Sequence, residues 1–256
     1  FSSGVSLFAA AVLWAVYAKD FADSAGFAFA TAPEFFGIAL PALALNAVSA
    51  PMFALAAIVG FAAAVWAAKS EIDNARLYCM LLMFMHGGLM GAFATTNVLW
   101  LYMFHEFALV PTFIAISLWG GAGKRMSAME MAIYLTLGAL VSLVGIIALY
   151  VQSGADNFSL ISIALAVAKS PLNAQWQYVV FGLLMFGLGT LVSLFPFYSW
   201  APRTYSAAPT SFAMLHAGVL KKFGLYVLIQ VALPFLSNGC ADWAKAMAVL
   251  VVPNDI

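Results

Sequence analysis

Two long stretches of this sequence are almost free of charged side chains, and they limit the folds that the chain can adopt. No charged residue occurs from Phe35 to Ala68, and the 47 residues from Leu77 to Gly123 contain a single one, Glu106. A helix that crosses a bilayer needs about 20 apolar residues, so the second stretch is long enough for two spans. Because the runs are continuously apolar and do not alternate in ten-residue segments, they predict helices and not an outer-membrane barrel.

The composition supports an all-α, polytopic membrane helix bundle. Of the 256 residues, 65% are hydrophobic and only 8% are charged, with ten basic and ten acidic side chains. A soluble protein of this length needs far more charge to cover its surface. The balanced charge gives no reason to expect a nucleic-acid partner, and lipids are the expected surroundings. Cys79 and Cys240 are too few and too far apart in sequence for a metal site or a disulfide framework.

Charged residues mark the loops between the expected spans. We predict one transmembrane domain over residues 1–256, with seven spans and the beginning of an eighth. A short apolar helix, Ser159–Ala168, is expected in a connector between two spans. Since apolar sequence runs close to both ends, we expect the chain to be an excerpt of a longer polypeptide. The spans are expected near residues 4–18, 47–68, 77–94, 97–119, 131–151, 176–200, 211–233 and 243–256, the last of them partial.

Glu106 is the first candidate functional residue, because it lies about ten residues into its expected helix. That position is near the middle of the bilayer, where a carboxylate is costly and is a functional candidate by default. The alternative is a structural ion pair. Pro111 removes one backbone hydrogen bond from the same helix, and Pro196 does so within the span 176–200. Both prolines are expected to break or kink their helices, and Pro196 is equally compatible with a simple kink near a helix end.

Lys221 and Lys222 lie at the centre of the span 211–233, too deep to reach the surface by extending their side chains. Adjacent helical residues point about 100° apart, so the two lysines cannot face the same partner. Lys222 shares a face with Gly218 and is expected to line an interior hydrophilic path. Lys221 is expected to meet another partner.

The three histidines also lie within expected spans. His105 adjoins Glu106, and His216 lies six residues before Lys222, so both are candidates for a proton relay. A neutral, hydrogen-bonded histidine in the core is the alternative for both, and for His86 as well. None of them has the spacing of a metal site.

Two blocks of the sequence carry a family resemblance. The first is Asn97–Gly120, with Glu106, a Leu-Val-Pro step ending at Pro111, and a terminal Trp-Gly. The second is Phe195–Leu236, whose matching residues are Pro196, Trp200, Pro202, Ala208, Pro209, Thr210, Ala217, Gly218, Lys222, Gly224 and Tyr226. With these blocks the chain resembles the antiporter-like membrane subunits of respiratory complex I, most closely those of the chain M type (subunit 4 in mitochondria).

The resemblance implies a fold and a function. Members of this family have about fourteen helices built from two inverted five-helix repeats with broken transmembrane helices, of which this chain would hold the first repeat and a small part of the second. It implies proton translocation through Glu106, Lys222, Lys221, His216 and His105, and other membrane-arm subunits as partners. NADH, FMN, iron–sulfur clusters and quinone would belong to partner subunits, and no cofactor is expected in this chain. The expected location is the bacterial inner membrane, with the mitochondrial inner membrane or the thylakoid as alternatives.

Several positions depart from the family pattern. The lysine that the family carries on its broken seventh helix is Leu191 here, and the stretch 170–202 contains only apolar and uncharged polar residues. Asn97, Arg203, Tyr205 and Ala207 stand where the family has Asp, Asp, His and Glu. Either Lys221 or Lys222 therefore supplies the cation to Glu106, or Glu106 is neutral and the channel is closed. We favour the substituted relay, because two adjacent lysines at the bilayer centre are costly without a partner.

Three functions remain open from the sequence. The first is a proton-translocating subunit of an NADH–quinone oxidoreductase. The second is the related subunit of a Na+/H+ exchanger or of a membrane-bound hydrogenase. The third is a scaffold subunit that does not pump, and Leu191 is the feature in its favour.

Overall fold

The computed structural model describes residues 2–20, 28–31, 34–35, 38–39 and 43–251, and they form a bundle of helices with two small pairs of antiparallel strands. Strand β1 (Ala28–Thr31) pairs with β4 (Leu43–Leu45), and β2 (Glu34–Phe35) pairs with β3 (Ile38–Ala39). The α-helices are α1 Ser2–Asp20, α2 Ser49–Lys69, α3 Ala75–Ala94, α4 Val98–Trp119, α5 Lys124–Ser153, α6 Leu160–Lys169, α7 Ala174–Val192, α8 Trp200–Ala207, α9 Thr210–Leu215, α10 Lys221–Val227, α11 Leu233–Phe235 and α12 Ser237–Val251.

Six segments within the described ranges are long and apolar enough to cross a membrane, which confirms the polytopic helix bundle. They are α2, α3, α4, α5, α7 and the segment Thr210–Phe235, which we call the composite helix because it contains α9, α10 and α11. Helix α6 has ten residues and is too short to span. The count of seven to eight spans stays a prediction, since residues 252–256 of the last expected span lie outside the described residues.

Two expected helix boundaries are wrong. The span expected at 176–200 ends at Val192, because Ser193 adopts a left-handed conformation with φ 66° and terminates α7. Pro196 therefore lies in the connection between α7 and α8 and not inside a helix. The span expected at 131–151 begins earlier, at Lys124, since its first turns bury Ser127 and Ala128 against the bundle while Arg125 stays exposed.

The helix breaks also differ from expectation. Helix α4 continues through Pro111 without interruption, so that proline does not divide the helix. The composite helix is interrupted instead by two π-helical turns, His216–Leu220 and Leu228–Ala232. At the end of the first π turn the Lys221 N–H donates to the carbonyl of His216, five residues earlier, where an α-helix bonds four residues back. Each wide turn accommodates one residue more than an α-helical turn.

Helices α5 and α7 approach each other through glycine. A methyl group built on Gly187 would collide with the Gly138 carbonyl oxygen, and one on Gly138 would lie 2.9 Å from the Gly187 carbonyl oxygen. Only glycine at both positions permits this backbone contact, which is the usual way in which small residues allow close packing of membrane helices. The α5–α7 pair is therefore a closely packed unit beside which α4 and the composite helix lie.

The short helix α8 is tied to neighbouring elements at one end of the bundle. The Gly121 N–H donates to the Ala207 carbonyl over 2.8 Å, which joins the α4–α5 loop to the end of α8. The Arg203 guanidinium lies 3.1 Å from the Glu130 carboxylate of α5. These contacts fix α8 next to the start of the composite helix.

Candidate functional site

The structure places Glu106 eight residues into α4, with its carboxylate only partly accessible. The side chain is 25% exposed, and its Oε1 atom is buried at 3.6 Å from Nδ1 of His105. Tyr102, one turn earlier on the same helix, lies within hydrogen-bonding reach of the carboxylate. The neighbours of Glu106 are therefore a histidine and a phenol of its own helix.

His105 is buried and faces the composite helix. Its imidazole stacks on the ring of Phe223, with 5.1 Å between the centroids and 14° between the planes. Its Nε2 atom is buried and has no hydrogen-bond partner among the described residues. One nitrogen of His105 thus points to Glu106, and the other is available to a donor or acceptor that the described residues do not supply.

A small cavity adjoins His105 between α4, α5, α7 and α10. Its volume is about 10 Å³, and its lining includes Tyr102, His105, Ser142, Leu191 and Phe223. A cavity needs a volume of roughly 10–15 Å³ to hold one water molecule. Leu191, where the family resemblance predicts a lysine, lines this cavity together with His105.

His216 is the most deeply buried of the candidate histidines and charged residues. It is 1% exposed, and its Nδ1 atom is 3.0 Å from the hydroxyl oxygen of Tyr205 on α8. The Trp200 ring packs edge-on against it, and the Trp200 indole N–H donates to the Thr190 carbonyl. The Nε2 atom of His216 is buried without a hydrogen-bond partner in the described chain.

The expected orientation of the two lysines is reversed in the described part of the chain. Lys222 is exposed and donates to the carbonyl of Ala217. Lys221 is half-buried, with its ammonium nitrogen 5.6 Å from the centroid of the Tyr205 ring. Within the described residues, neither ammonium group comes within 4.0 Å of Glu106.

The first π turn is the physical reason for this reversal. Its extra residue shifts the helical register of the residues after the turn by one residue. Their side chains are therefore rotated by about 100° relative to a continuous α-helix. Phe223 then occupies the face that the sequence predicts for Lys222, and it meets His105 there. Hydropathy carries no signal for a one-residue insertion of this kind.

Tyr205 and Tyr102 are site residues that the sequence reasoning missed as participants. Tyr205 is identified in the sequence only as a departure from the family pattern, although its hydroxyl contacts His216. Burial raises the pKa of the Tyr205 phenol above its ordinary value, so it remains protonated at neutral pH. Tyr102 could have been found from its position four residues before Glu106 on one helix face.

The remaining histidine, His86, lies apart from these groups. Its ring occupies the space above Gly60, and its Nε2 atom is 3.0 Å from the Ser6 hydroxyl of α1. Among the residues that the structure describes, His, Cys, Asp and Glu side chains form no group of three that could hold a metal ion.

Comparison with known proteins places the chain in a family. Residues 95–252 match the family described as NADH:quinone oxidoreductase/Mrp antiporter, transmembrane. The chain is 30% identical over 212 residues to NAD(P)H-quinone oxidoreductase chain 4 of Synechococcus sp. strain JA-3-3Ab, covering 83% of this chain and 39% of that protein. It is 31% identical over 214 residues to F(420)H(2) dehydrogenase subunit M of Methanosarcina mazei, covering 79% and 39%.

A solved structure has the same fold. A chain of respiratory complex I from Thermus thermophilus matches with a TM-score of 0.77 at 24% identity, over 97% of this chain and 52% of the other. The present chain spans less than half the length of the curated relatives described above. The matched residues include the His105–Glu106 pair and the whole composite helix, and the chain belongs to the transmembrane family of NADH:quinone oxidoreductase and Mrp antiporter subunits.

Proposed function

We propose that this chain carries protons within the membrane arm of a large respiratory complex of the NADH–quinone oxidoreductase type. The observation that carries the proposal is the His105–Glu106 pair in the middle of a spanning helix, beside a cavity of about one water molecule. An ionisable pair inside a membrane helix is expensive and is retained where it serves a function.

The pair can hold one proton in two ways. Either the carboxylate and the imidazolium form an ion pair, or the acid and the imidazole are both neutral. The 3.6 Å separation between Nδ1 of His105 and Oε1 of Glu106 lets a proton pass between the two groups after a small movement of either side chain.

His216 is the second station of the proposed path. The buried Nε2 atoms of His105 and His216 have no protein partner in the described chain. A water molecule between such groups would complete a route from Tyr205 through His216 to His105 and Glu106. Lys221 is the cation that biases the Tyr205 end of this route, and Lys222 lies outside it in the described residues.

Electron transfer would take place in other subunits. The two relatives are named for different electron donors, NAD(P)H in one and F(420)H(2) in the other. This range is expected if the chain moves protons and partner subunits bind the electron donor, FMN, iron–sulfur clusters and quinone. The proposed location is the inner membrane of a bacterium.

The test uses the full-length subunit in its purified complex, reconstituted into sealed vesicles. Glu106→Gln removes the titratable group with little change in shape, and it is expected to lower the number of protons translocated per electron pair while electron transfer continues. Glu71→Gln, the same change at an exposed loop position, is the matched control and should leave the ratio unchanged. Equal ratios for the wild type and Glu106→Gln would reject the proposal.

A scaffold subunit that does not pump is the second candidate. It is favoured by Leu191 at the family's lysine position and by the absence of a lysine within 4.0 Å of Glu106 in the described chain. In that case Glu106→Gln leaves the ratio unchanged, whereas removal of the subunit dissociates its neighbours from the complex.

A third candidate follows from the family itself, which includes Mrp antiporter subunits as well as oxidoreductase subunits. Its members would share the proton path and differ in their partners. The subunit composition of the purified complex separates the two: NADH-oxidising subunits support the oxidoreductase, and exchanger or hydrogenase subunits support the alternative.

A further inference from the structure

We propose that Lys222 is a positioning residue whose ammonium group caps the first π turn and thereby fixes which residues of α10 face the bundle. In this role the side chain acts through the backbone of its own helix and not by contact with His105 or Glu106. The capping itself stands on geometry. Its consequence for proton translocation rests on the function proposed above.

The first π turn leaves one backbone carbonyl without its usual donor. In a regular α-helix the Lys221 N–H would bond to the carbonyl of Ala217, four residues back. In this turn it bonds to the carbonyl of His216 instead. The Ala217 carbonyl therefore needs a donor from elsewhere, because an unpaired carbonyl within a membrane span is costly.

The Lys222 side chain supplies such a donor. Its Nζ atom is 2.6 Å from the Ala217 carbonyl oxygen, which is a short hydrogen bond from a charged group. Helical side chains lean towards the N-terminal end of their helix, so a lysine can reach a carbonyl of the preceding turn. The contact stabilises the π turn relative to an α turn, in which the Lys221 N–H would take the same carbonyl.

The second π turn has a different cause. The Leu233 N–H bonds to the carbonyl of Leu228, and the next residue is Pro234. Proline has no N–H, and its ring collides with the carbonyl four residues back, so a wide turn before it relieves the helix. The first π turn, His216–Leu220, contains no proline. Another contact must therefore stabilise it, and the bond from Lys222 is of the required kind.

The helical register after the first π turn determines which side chain reaches His105. With the turn in place, the Phe223 ring stacks on the imidazole, with 5.1 Å between the centroids. If the turn closed to an α turn, the residues after it would rotate by about 100° and position 222 would take that face. The bond to Ala217 therefore keeps Phe223, and not Lys222, against His105.

The test follows the Phe223 ring in the full-length subunit within its purified complex. Phe223 is replaced by 4-fluorophenylalanine, whose fluorine resonance depends on the imidazole ring stacked on it. Lys222→Met removes the ammonium group and keeps the length of the side chain, whereas Lys222→Arg keeps a charged donor. Lys221→Met removes the neighbouring cation, which lies against the Tyr205 ring, and is the matched control for the ring position.

The wild type, Lys222→Arg and Lys221→Met are expected to share one fluorine resonance. Lys222→Met is expected to shift this resonance or to split it into two, because Phe223 leaves the imidazole when the turn closes. An unshifted resonance in Lys222→Met would overturn the inference. Equal shifts in Lys222→Met and Lys221→Met would overturn it as well, since they would show an effect of charge and not of capping.

A deletion separates capping from a general loss of stability. Deleting Gly218 removes the extra residue and, with it, the carbonyl that lacks a backbone donor. Lys222→Met is therefore expected to lower the midpoint of thermal unfolding in the wild-type background and to leave it nearly unchanged in the deletion background. If Lys222→Met alone does not assemble, it should assemble in the deletion background. Equal losses in both backgrounds would contradict the capping role.

Proton translocation per electron pair is measured on the same variants. If the Phe223–His105 contact serves the proposed path, Lys222→Met should lower the ratio, and deletion of Gly218 should restore it by returning position 223 to the same face. A shifted resonance with an unchanged ratio would support capping and reject its link to the proton path. A ratio that stays low after the deletion, with the resonance restored, would mean that the ammonium group itself carries protons and would reject a positioning role.

Discussion

The imidazole ring of His105 lies nearly parallel to the ring of Phe223, with 5.1 Å between the two centroids. This contact joins α4 to α10 at the level of the Glu106 carboxylate. It occupies the face of the composite helix on which the sequence predicts Lys222. An aromatic ring therefore takes the place of the expected ammonium group.

Phe223→Leu is expected to destabilise the full-length subunit by about 1 kcal/mol, because a stacked ring pair contributes about 0.5–1.5 kcal/mol beyond its buried area. Leu225 lies on the exposed face of the same helix in the described chain. Leu225→Ala should therefore change the free energy of unfolding by less than about 0.5 kcal/mol. Thermal unfolding of the purified subunit in detergent measures both. A larger loss for Leu225→Ala would mean that the exposed face is packed in the whole protein.

Leu191→Lys is expected to place an ammonium group in the cavity beside His105 and Tyr102. If the native path lacks a central cation, the number of protons translocated per electron pair should rise. Leu191→Met keeps the volume and adds no charge, so it serves as the control. No change in Leu191→Lys, together with a loss of translocation in Lys221→Met or Lys222→Met, would favour a path that already uses a neighbouring lysine.

The ion pair between Arg203 and Glu130 is expected to contribute little to stability. The Arg203 side chain is 68% exposed, and exposed pairs typically contribute about 0.2–1 kcal/mol. A double-mutant cycle with Arg203→Ala and Glu130→Ala should give a coupling energy in this range. The coupling should decrease as salt is added. A coupling that is large and independent of salt would show that the pair is buried in the assembled complex.

Deletion of Gly218 is expected to be tolerated, because removing one residue from a π turn leaves an α-helical turn with the same residues facing the bundle afterwards. Deletion of Gly145 from the regular helix α5 is the matched control. It should rotate the remainder of that helix by about 100° and abolish assembly. Recovery of intact complex on a native gel distinguishes the two deletions. Loss of assembly in the Gly218 deletion alone would contradict the register explanation.

Much of the helical framework could be predicted from the sequence. The expected spans 77–94 and 97–119 differ from α3 and α4 by at most two residues at either end. The charged residues in the loops and the length needed to cross a bilayer determine these limits. The grouping of Glu106 with His105 followed from their adjacency in sequence.

The lysine orientation could not be predicted in the same way. It depends on a single extra residue in the turn His216–Leu220, which changes neither the composition nor the mean hydropathy of the helix. The contact between Tyr205 and His216 depends on where the loop after α7 returns the chain, and that is a property of tertiary packing. The end of α7 at Val192 likewise depends on the left-handed Ser193.

The size of the cavity beside His105 depends on the close approach of two peptide backbones. Gly187 lines the small cavity and at the same time touches the Gly138 carbonyl of α5. A methyl group on either glycine would separate α5 from α7 and widen the space next to the imidazole. The two glycines thereby hold the cavity at about the volume of a single water molecule.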